Sequence, residues 1–233
     1  MKFEKYAVSE IVQESRDVRT FKLAKSGGPA PSYQPGHFFL LRLPDANGKP
    51  VQRSYSAASV PGEAALWFCI KLKGAFTQLL WKLQAGSAIE VDGPYGVFML
   101  IPGDAERVFI GGGVGISALR SMILHTVKNE GKRACLFHSG RFREALIYYD
   151  EMKKLADASP NFKFYPTITG DEIPDGWKGS KGRISAQMIK QTLGSLSGKS
   201  FYLCGSKEMT GELSAALISE GVPKERIKKD EWG

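Results

Sequence analysis

A chain of 233 residues, 42% of them hydrophobic, is long enough for one large domain or two of ordinary size, each with its own core. No window approaches the roughly 18 consecutive apolar residues of a membrane span, and the opening MKFEKYAVSEIV holds no uninterrupted apolar stretch, so the sequence reads as cytoplasmic with no membrane partner. Three scattered cysteines, Cys69, Cys135 and Cys204, form no C-x-x-C pair and argue against an iron-sulfur cluster, a zinc site or a disulfide framework; the net charge of +8 is shared between the two halves of the chain without a basic tail.

Up to residue 102 the grammar is that of strands. HFFLLRL and ALWFCIKL are rich in aliphatic and aromatic residues, and PDANGKP and VPGE are turn chemistry between them. Between those segments lies VQRSYSAAS (Val51 to Ser59), which breaks the apolar and polar alternation of a half-buried strand. It reads either as an edge strand with a solvated Arg53 and a surface Tyr55, or as a wall offering a cation, a flat ring and hydroxyls to a flat, charged ligand. One short helix interrupts the strands, with Thr77 expected as the N-cap of QLLWKLQ and Gly86 as the glycine after its end. LKGAFTQLL is therefore a glycine-to-helix entry, explicable by capping alone or, with Arg53, as a place for phosphate. This half is expected to be an antiparallel Greek-key β-barrel spanning 1–102.

From Arg107 the pattern changes to strand and helix in turn, which argues for a parallel sheet covered by helices over 103–233, with the boundary near IPGDAE. The strand RVFI runs into IGGGVGIS, four glycines within five positions before a helix that carries Leu119, Met122, Ile123, Thr126 and Val127 along one face. Backbone amides and a helix dipole can face a phosphate there, through Gly112, Gly113 and Gly115, although the G-x-G-x-x-G spacing fails at Ile116. Next come RACLF, a helix through EALIYYDEMKKLA, FKFYPTI, a helix in ISAQMIKQTL, FYLCG, a helix through EMTGELSAALISEG, and RIKKDEW.

The end of the second of these strands, FHSGRF, carries Ser139, Arg141 and Arg143 where such sheets commonly place an acid to read a ribose hydroxyl. That leans toward a 2′-phosphate and NADP(H), against the alternative that these arginines are solvated. Cys204 ends a parallel strand beside Gly205, where open sheets bind ligands, yet a lone buried cysteine is ordinarily packing. Met209, with Leu213 and Leu217, lies on the apolar face of its helix and reads as core. His37, His125 and His138 are dispersed and suggest neither a hydrolytic triad nor a metal site, and the lysines form no stripe interleaved with aromatics, which weakens a nucleic-acid partner. A nonenzymatic barrel module binding oligonucleotides has basic charge as its support.

In this order, RSYS, KGAFT, GPYGVF, IGGGVGIS, FHSGR and CGSKEM, the chain resembles the ferredoxin-NADP reductase superfamily of two-domain flavoenzymes over essentially its whole length. The resemblance implies a barrel that binds FAD and a five-stranded parallel α/β domain that binds a nicotinamide dinucleotide, NADP(H) or NAD(H). It implies FAD contacts from Arg53, Ser54, Tyr55, Ser56, Ile70, Lys71, Gly74, Ala75, Phe76 and Thr77. Arg53 would pair with a phosphate, Tyr55 would lie against the isoalloxazine, Ser56 would approach its N5, and the helix entry would receive the pyrophosphate, which favours FAD over FMN. Gly112, Gly113, Gly115, Ser139, Arg141, Gly205 and Met209 would contact the dinucleotide, and Cys204 would sit near the nicotinamide. Ser56, Cys204, Glu231 and Trp232 would serve catalysis, the last two as an acidic and aromatic end followed here by one glycine, with Trp232 also contacting the cofactor by stacking on the flavin. The implied activity moves hydride between NAD(P)H and flavin and passes single electrons to a separate, acidic carrier such as ferredoxin or flavodoxin. The alternatives are the reductase component of a multicomponent oxygenase and a reductase of free flavin or small acceptors.

Overall fold

The structure is a computed structural model that describes residues 2–232; residues 1 and 233 and the side chain of Trp232 lie outside that description. The chain divides into two compact units, one running up to Met99 with Arg120–Met122, the other comprising Leu100–Leu119 and the chain from Ile123 onward. No helix among the described residues is long and apolar enough to cross a membrane.

The first unit contains β1 (Glu4–Ser15), β2 (Val18–Lys25), β3 (Phe38–Pro44), β4 (Pro50–Ser56), β5 (Leu66–Lys71), α1 (Ala75–Trp81) and β6 (Ala88–Tyr95). The strands form one antiparallel sheet in the order β4-β3-β6-β1-β2-β5, and the insertion of β6 between β3 and β1 makes it a Greek key. Ala58, just past β4, donates its N–H to the Trp67 carbonyl of β5 at 2.8 Å, which brings the two edges of the sheet together into a barrel. The alternation in FFLLRLP explains the core: Phe39, Leu41 and Leu43 point inward while Phe38, Leu40 and Arg42 do not. Phe21, Leu23, Leu66, Phe68, Ile89 and Val91 complete that interior, each such side chain contributing about 1.5–3 kcal/mol by leaving water.

The short helix differs from expectation. It begins at Ala75 with Gly74 as its N-cap residue, so Thr77 lies in the first turn rather than at the cap, and it ends at Trp81, well before Gly86. The physical reason is that Gly74 adopts φ +91°, a conformation that stops a helix from extending backward and that glycine alone adopts cheaply. Gly86 also has positive φ, but its N–H is taken by the Val8 carbonyl, which ties the loop to β1 instead of closing the helix.

The second unit has β7 (Glu106–Gly112), β8 (Arg133–Gly140), β9 (Phe162–Ile168), β10 (Ser180–Lys181), β11 (Lys199–Ser206) and β12 (Ile227–Trp232), all parallel, in the order β10-β9-β8-β7-β11-β12. The sheet has six strands rather than five, because β10 adds two exposed residues beside β9, too few to register in hydropathy. The central strands β7, β8 and β11 are buried almost throughout, as strands covered on both faces must be. Helices α2 (Ile116–Leu124), α3 (Tyr149–Ala158), α4 (Ala186–Leu193) and α5 (Lys207–Ser219) alternate with the strands. Ser185 and Ser206 cap α4 and α5, accepting from the N–H groups of Met188 and Met209. α3 starts five residues later than the apolar pattern suggests, since Tyr148 takes a left-handed φ of 58° and a 3₁₀ turn precedes it. After α2 the chain widens into a π-helical turn, His125–Asn129, which still buries Thr126 and Val127.

At the amino ends of these strands Arg107 is 2% exposed and bonds Asp104, Thr126 and Glu130 at 2.7, 2.8 and 3.0 Å, while the Tyr202 hydroxyl donates to Asp104 at 2.8 Å. Burial pushes the Tyr202 phenol up. Burial also disfavours the charged form of Glu130, but hydrogen bonds from Arg107 and Lys132 outweigh it and hold that carboxyl below its ordinary value. This end of the sheet is built for cohesion, and the opposite end is built from glycines.

Candidate functional site

In the first unit the RSYS run occupies the end of β4, where Arg53, Tyr55 and Ser56 lie opposite Leu41, Phe39 and Phe38 of β3. Opposed residues share a face, so Arg53 and Tyr55 sit on the inward side of the barrel, but β4 is an edge strand and that side is incompletely covered. Arg53 and Ser54 are exposed, and Tyr55 and Ser56 half-buried. Fold and sequence meet at Phe76, whose ring stacks on Tyr55 with centroids 6.1 Å apart and planes 24° from parallel. That contact brings RSYS and KGAFT together. Burial pushes the Tyr55 phenol up to about 12, so the ring stays neutral.

At the entry to α1 the amides of Ala75, Phe76 and Thr77 have no intrahelical acceptor, and no side chain caps them. A β-carbon on Gly74 would meet nothing within 4 Å, so the space before these amides is open. Thr77 braces the entry: its hydroxyl accepts from Lys73 N–H at 2.8 Å and donates to the Gly74 carbonyl at 2.9 Å. Arg53 has no carboxylate partner among the described residues, whereas Lys71 pairs with Asp17 at 3.2 Å and Ile70 belongs to the barrel core. A flat ring platform, a guanidinium without a carboxylate and an open, amide-lined turn fit the chemistry of FAD.

In the second unit the sheet register aligns the carboxyl ends of three strands. Gly111 of β7 lies between His138 of β8 and Cys204 of β11, and Gly112 lies beside Ser139. The chain then turns through Gly113–Gly115 into α2. Gly113 has φ +51° with open space where a side chain would be. Gly115 is glycine for a different reason: a β-carbon there would stand 2.3 Å from the Cys204 carbonyl oxygen. Met209 is half-buried against the core, as its helical spacing implies, yet it also closes on the site. Its Sδ would be 2.7 Å from a β-carbon on Gly112, and its Cε 2.3 Å from one on Gly205. Burial, reinforced by Asp230, pushes the Cys204 thiol well up, so it stays protonated. Glu231 pairs with Lys229 at 2.7 Å and accepts from the Thr210 hydroxyl at 3.1 Å, contacts that hold it ionised. The side chain of Trp232, the expected aromatic partner, lies outside the described residues.

Beside this turn is a cavity of about 350 Å³ lined in part by Ser139, Thr169, Arg183, Ser206, Glu208 and Met209. Ser139 and Met209 were expected at a ligand; Arg141 does not line the cavity, and its carbonyl receives Gly170 N–H at 2.9 Å. The arginine that does line it is Arg183, 3.4 Å from Glu208. Sequence reasoning missed Arg183, Thr169 and Glu208, although the KGRIS segment just before a capped helix was a usable signal. It also missed His138, which is fully buried with Nε2 3.0 Å from the Gly113 carbonyl.

Two family models match the chain, "Oxidoreductase FAD-binding domain" over residues 5–100 and "Oxidoreductase NAD-binding domain" over residues 109–214. A component of the Na(+)-translocating NADH-quinone reductase of Yersinia enterocolitica is 27% identical over 213 residues, which are 84% of this chain and 52% of that protein. The chain thus spans about half the length of the curated relatives it matches. Among solved structures, the flavohem-like FAD/NAD-binding domain of a Vibrio cholerae nitric oxide dioxygenase matches with a TM-score of 0.88 at 20% identity, covering 99% of this chain and 98% of that one. A ferredoxin NADP+ reductase from Neisseria gonorrhoeae with bound FAD and NADP matches with a TM-score of 0.86 at 23% identity, covering 99% of both. The barrel with its stacked tyrosine, the glycine turn of the parallel sheet and both family matches lead to one assignment: the chain belongs to the ferredoxin-NADP reductase superfamily and is an FAD-binding, NAD(P)H-dependent flavoprotein reductase.

Proposed function

We propose that the reductase delivers electrons from NAD(P)H to a separate acidic protein carrier of the ferredoxin or flavodoxin kind. The observation that carries the reading is the backbone-lined turn at Gly113–Gly115, open at Gly113, with a cavity of mixed polar and apolar lining beside it, at the carboxyl ends of parallel strands where such sheets bind dinucleotides. When bound, the flavin supplies the exchange between two-electron hydride chemistry and single-electron delivery. Arg53 and the amides of Ala75 to Thr77 hold its phosphates, with Ser54 and the backbone of Ile70 and Lys71 beside them. Tyr55, braced by Phe76, presents a flat neutral face to the ring, and the Ser56 hydroxyl serves its reactive edge. Gly112, Gly113 and Gly115 take the dinucleotide's pyrophosphate. Gly205 admits Met209 against the turn, and Cys204 offers an uncharged thiol to the nicotinamide. Glu231 contributes a fixed anion at the end of β12.

Of the two dinucleotides we assign NADPH, with Arg183 in the role that sequence spacing gave to Arg141. Arg183 and Glu208 are 81% and 68% exposed, so their pairing is weak and a 2′-phosphate can replace the carboxylate. Three free thiols suit a reducing, cytoplasmic setting. A net charge of +8 favours an acidic carrier, since complementary charge speeds encounter. A second reading, the reductase component of a multicomponent oxygenase or related assembly, is favoured by the likeness to one component of a larger NADH-quinone reductase.

Stopped-flow measurement of the two half-reactions tests the proposal. At saturating NADPH the reduction step should be insensitive to salt, and reoxidation by a ferredoxin or flavodoxin should slow roughly tenfold as ionic strength rises past the point where the screening length falls below about 10 Å. Arg183→Ala should lower the NADPH-to-NADH ratio of kcat/KM, and Arg141→Ala should leave it unchanged. Reoxidation that ignores salt would remove the acidic carrier, and a ratio unmoved by Arg183→Ala would remove the cofactor assignment.

A further inference from the structure

His138 is buried completely near the carboxyl end of β8, a position where the neighbouring residues are apolar or small. Its desolvation is unfavourable, and an aliphatic residue would pack there without that cost. What the imidazole does is specific. Nε2 lies 3.0 Å from the carbonyl oxygen of Gly113. Nδ1 is buried and has no hydrogen-bond partner among the described residues. A proton on Nδ1 would have no acceptor, whereas a proton on Nε2 has the Gly113 oxygen, so the ring is a neutral Nε2–H tautomer that donates. Gly113 is the residue of the turn with positive φ, and nothing within 4 Å fills the place of its side chain. Without an anchor it would be the most mobile hinge of the loop.

The geometry points to His138 as a positioning residue for dinucleotide binding, resting on the reading that the Gly113–Gly115 turn receives a pyrophosphate. The link is the planarity of the peptide. In a trans peptide the C=O and the following N–H point in opposite directions. Drawing the Gly113 carbonyl inward to His138 therefore turns the Val114 N–H outward. The same carbonyl also accepts Ile116 N–H, so both its lone pairs are engaged and the plane cannot rotate without losing two bonds. Val114 N–H belongs to the first turn of the helical segment, where it has no intrahelical acceptor. It is thereby presented to the open side of the loop, preorganised for an anionic oxygen. His138 touches no ligand itself and acts through Gly113.

The test compares parent, His138→Leu and His138→Gln, each loaded with FAD, by dissociation constants for NADPH and NADH and by kcat. Glutamine places an amide N–H close to the position of Nε2; leucine fills space without a donor. Leucine should weaken dinucleotide binding about tenfold with FAD content and kcat at saturation nearly preserved, and glutamine should restore most of it. Equal loss in both variants, or no loss in leucine, would overturn the role. A parent that fails to bind either dinucleotide would instead overturn the reading of the turn. Should His138→Leu not fold, ¹⁵N spectra of the imidazole in the parent decide: the Nε2–H tautomer at neutral pH supports the inference, and the Nδ1–H tautomer or an imidazolium refutes it.

Discussion

Gly115→Ala puts the construction of the nucleotide turn to a direct test. The added β-carbon would lie 2.3 Å from the carbonyl oxygen of Cys204, 2.8 Å from its carbonyl carbon and 3.2 Å from the nitrogen of Gly205. Comfortable contacts of this kind are about 3.5 Å, so one partner must retreat by roughly 1 Å. Strand β11 cannot, because it is paired on one side with β7 and on the other with β12 through this residue. The turn must therefore lift away from Cys204. Forced overpacking of this size costs about 1–3 kcal/mol in stability. A displacement of about 1 Å in a positioning element can cost about 100-fold in rate. Gly113→Ala is the control: its φ of +51° is strained for alanine but its surroundings are open, so it costs about 1–2 kcal/mol without moving β11. The assay is single-turnover reduction of the bound flavin by NADPH, with FAD content and thermal unfolding measured in parallel. Gly115→Ala should keep its FAD and lose roughly 10- to 100-fold in reduction rate. Reduction at the parent rate with an unchanged melting temperature would show that the glycine is not required by the strand behind it.

Arg53→Ala should weaken FAD binding by about 10- to 100-fold, the value of a charge-assisted contact, measured by flavin retention on dilution; unchanged retention would remove Arg53 from the phosphate site. Asp104→Asn should cost about 3 kcal/mol because it leaves the Arg107 charge buried with fewer partners, seen as a fall in melting temperature of roughly 6–12 °C. His138 also carries a pH signature: burial pushes its pKa from 6.5 down to about 4. The unfolded chain binds this proton first as pH falls through about 6.5 and the folded chain only near 4, so the group contributes stability above that window and withdraws about 3 kcal/mol across it. The stability difference between parent and His138→Leu, followed by denaturant titration from pH 7 to 4, should shift by about that amount in favour of leucine; a difference independent of pH would mean the imidazole is not buried neutral.

The two glycine-to-helix entries are legible because each combines an apolar strand, glycines and a helix, and RSYS stands out because it breaks the alternation its neighbours obey. Threonine's preference for caps points to Thr77 as the helix start, but the left-handed Gly74 sets that start and leaves the hydroxyl to close the turn. The late start of α3 is hidden because Leu146 and Ile147 are buried in irregular chain and keep the apolar pattern running. The cavity residues Thr169, Arg183 and Glu208 come from three separate segments, and only the parallel register brings them together. His138 is invisible in the sequence because its partner is a main-chain carbonyl, which leaves no mark there.

The prevalence of main-chain groups at both cofactor entries bears on how such a protein can diverge. Peptide N–H groups are the same whatever side chains they carry, so recognition written in them asks of heredity only a few glycines and a fold to hold them. The Vibrio cholerae domain shares the architecture with a TM-score of 0.88 at 20% identity. The exterior can then be rewritten without disturbing those main-chain groups.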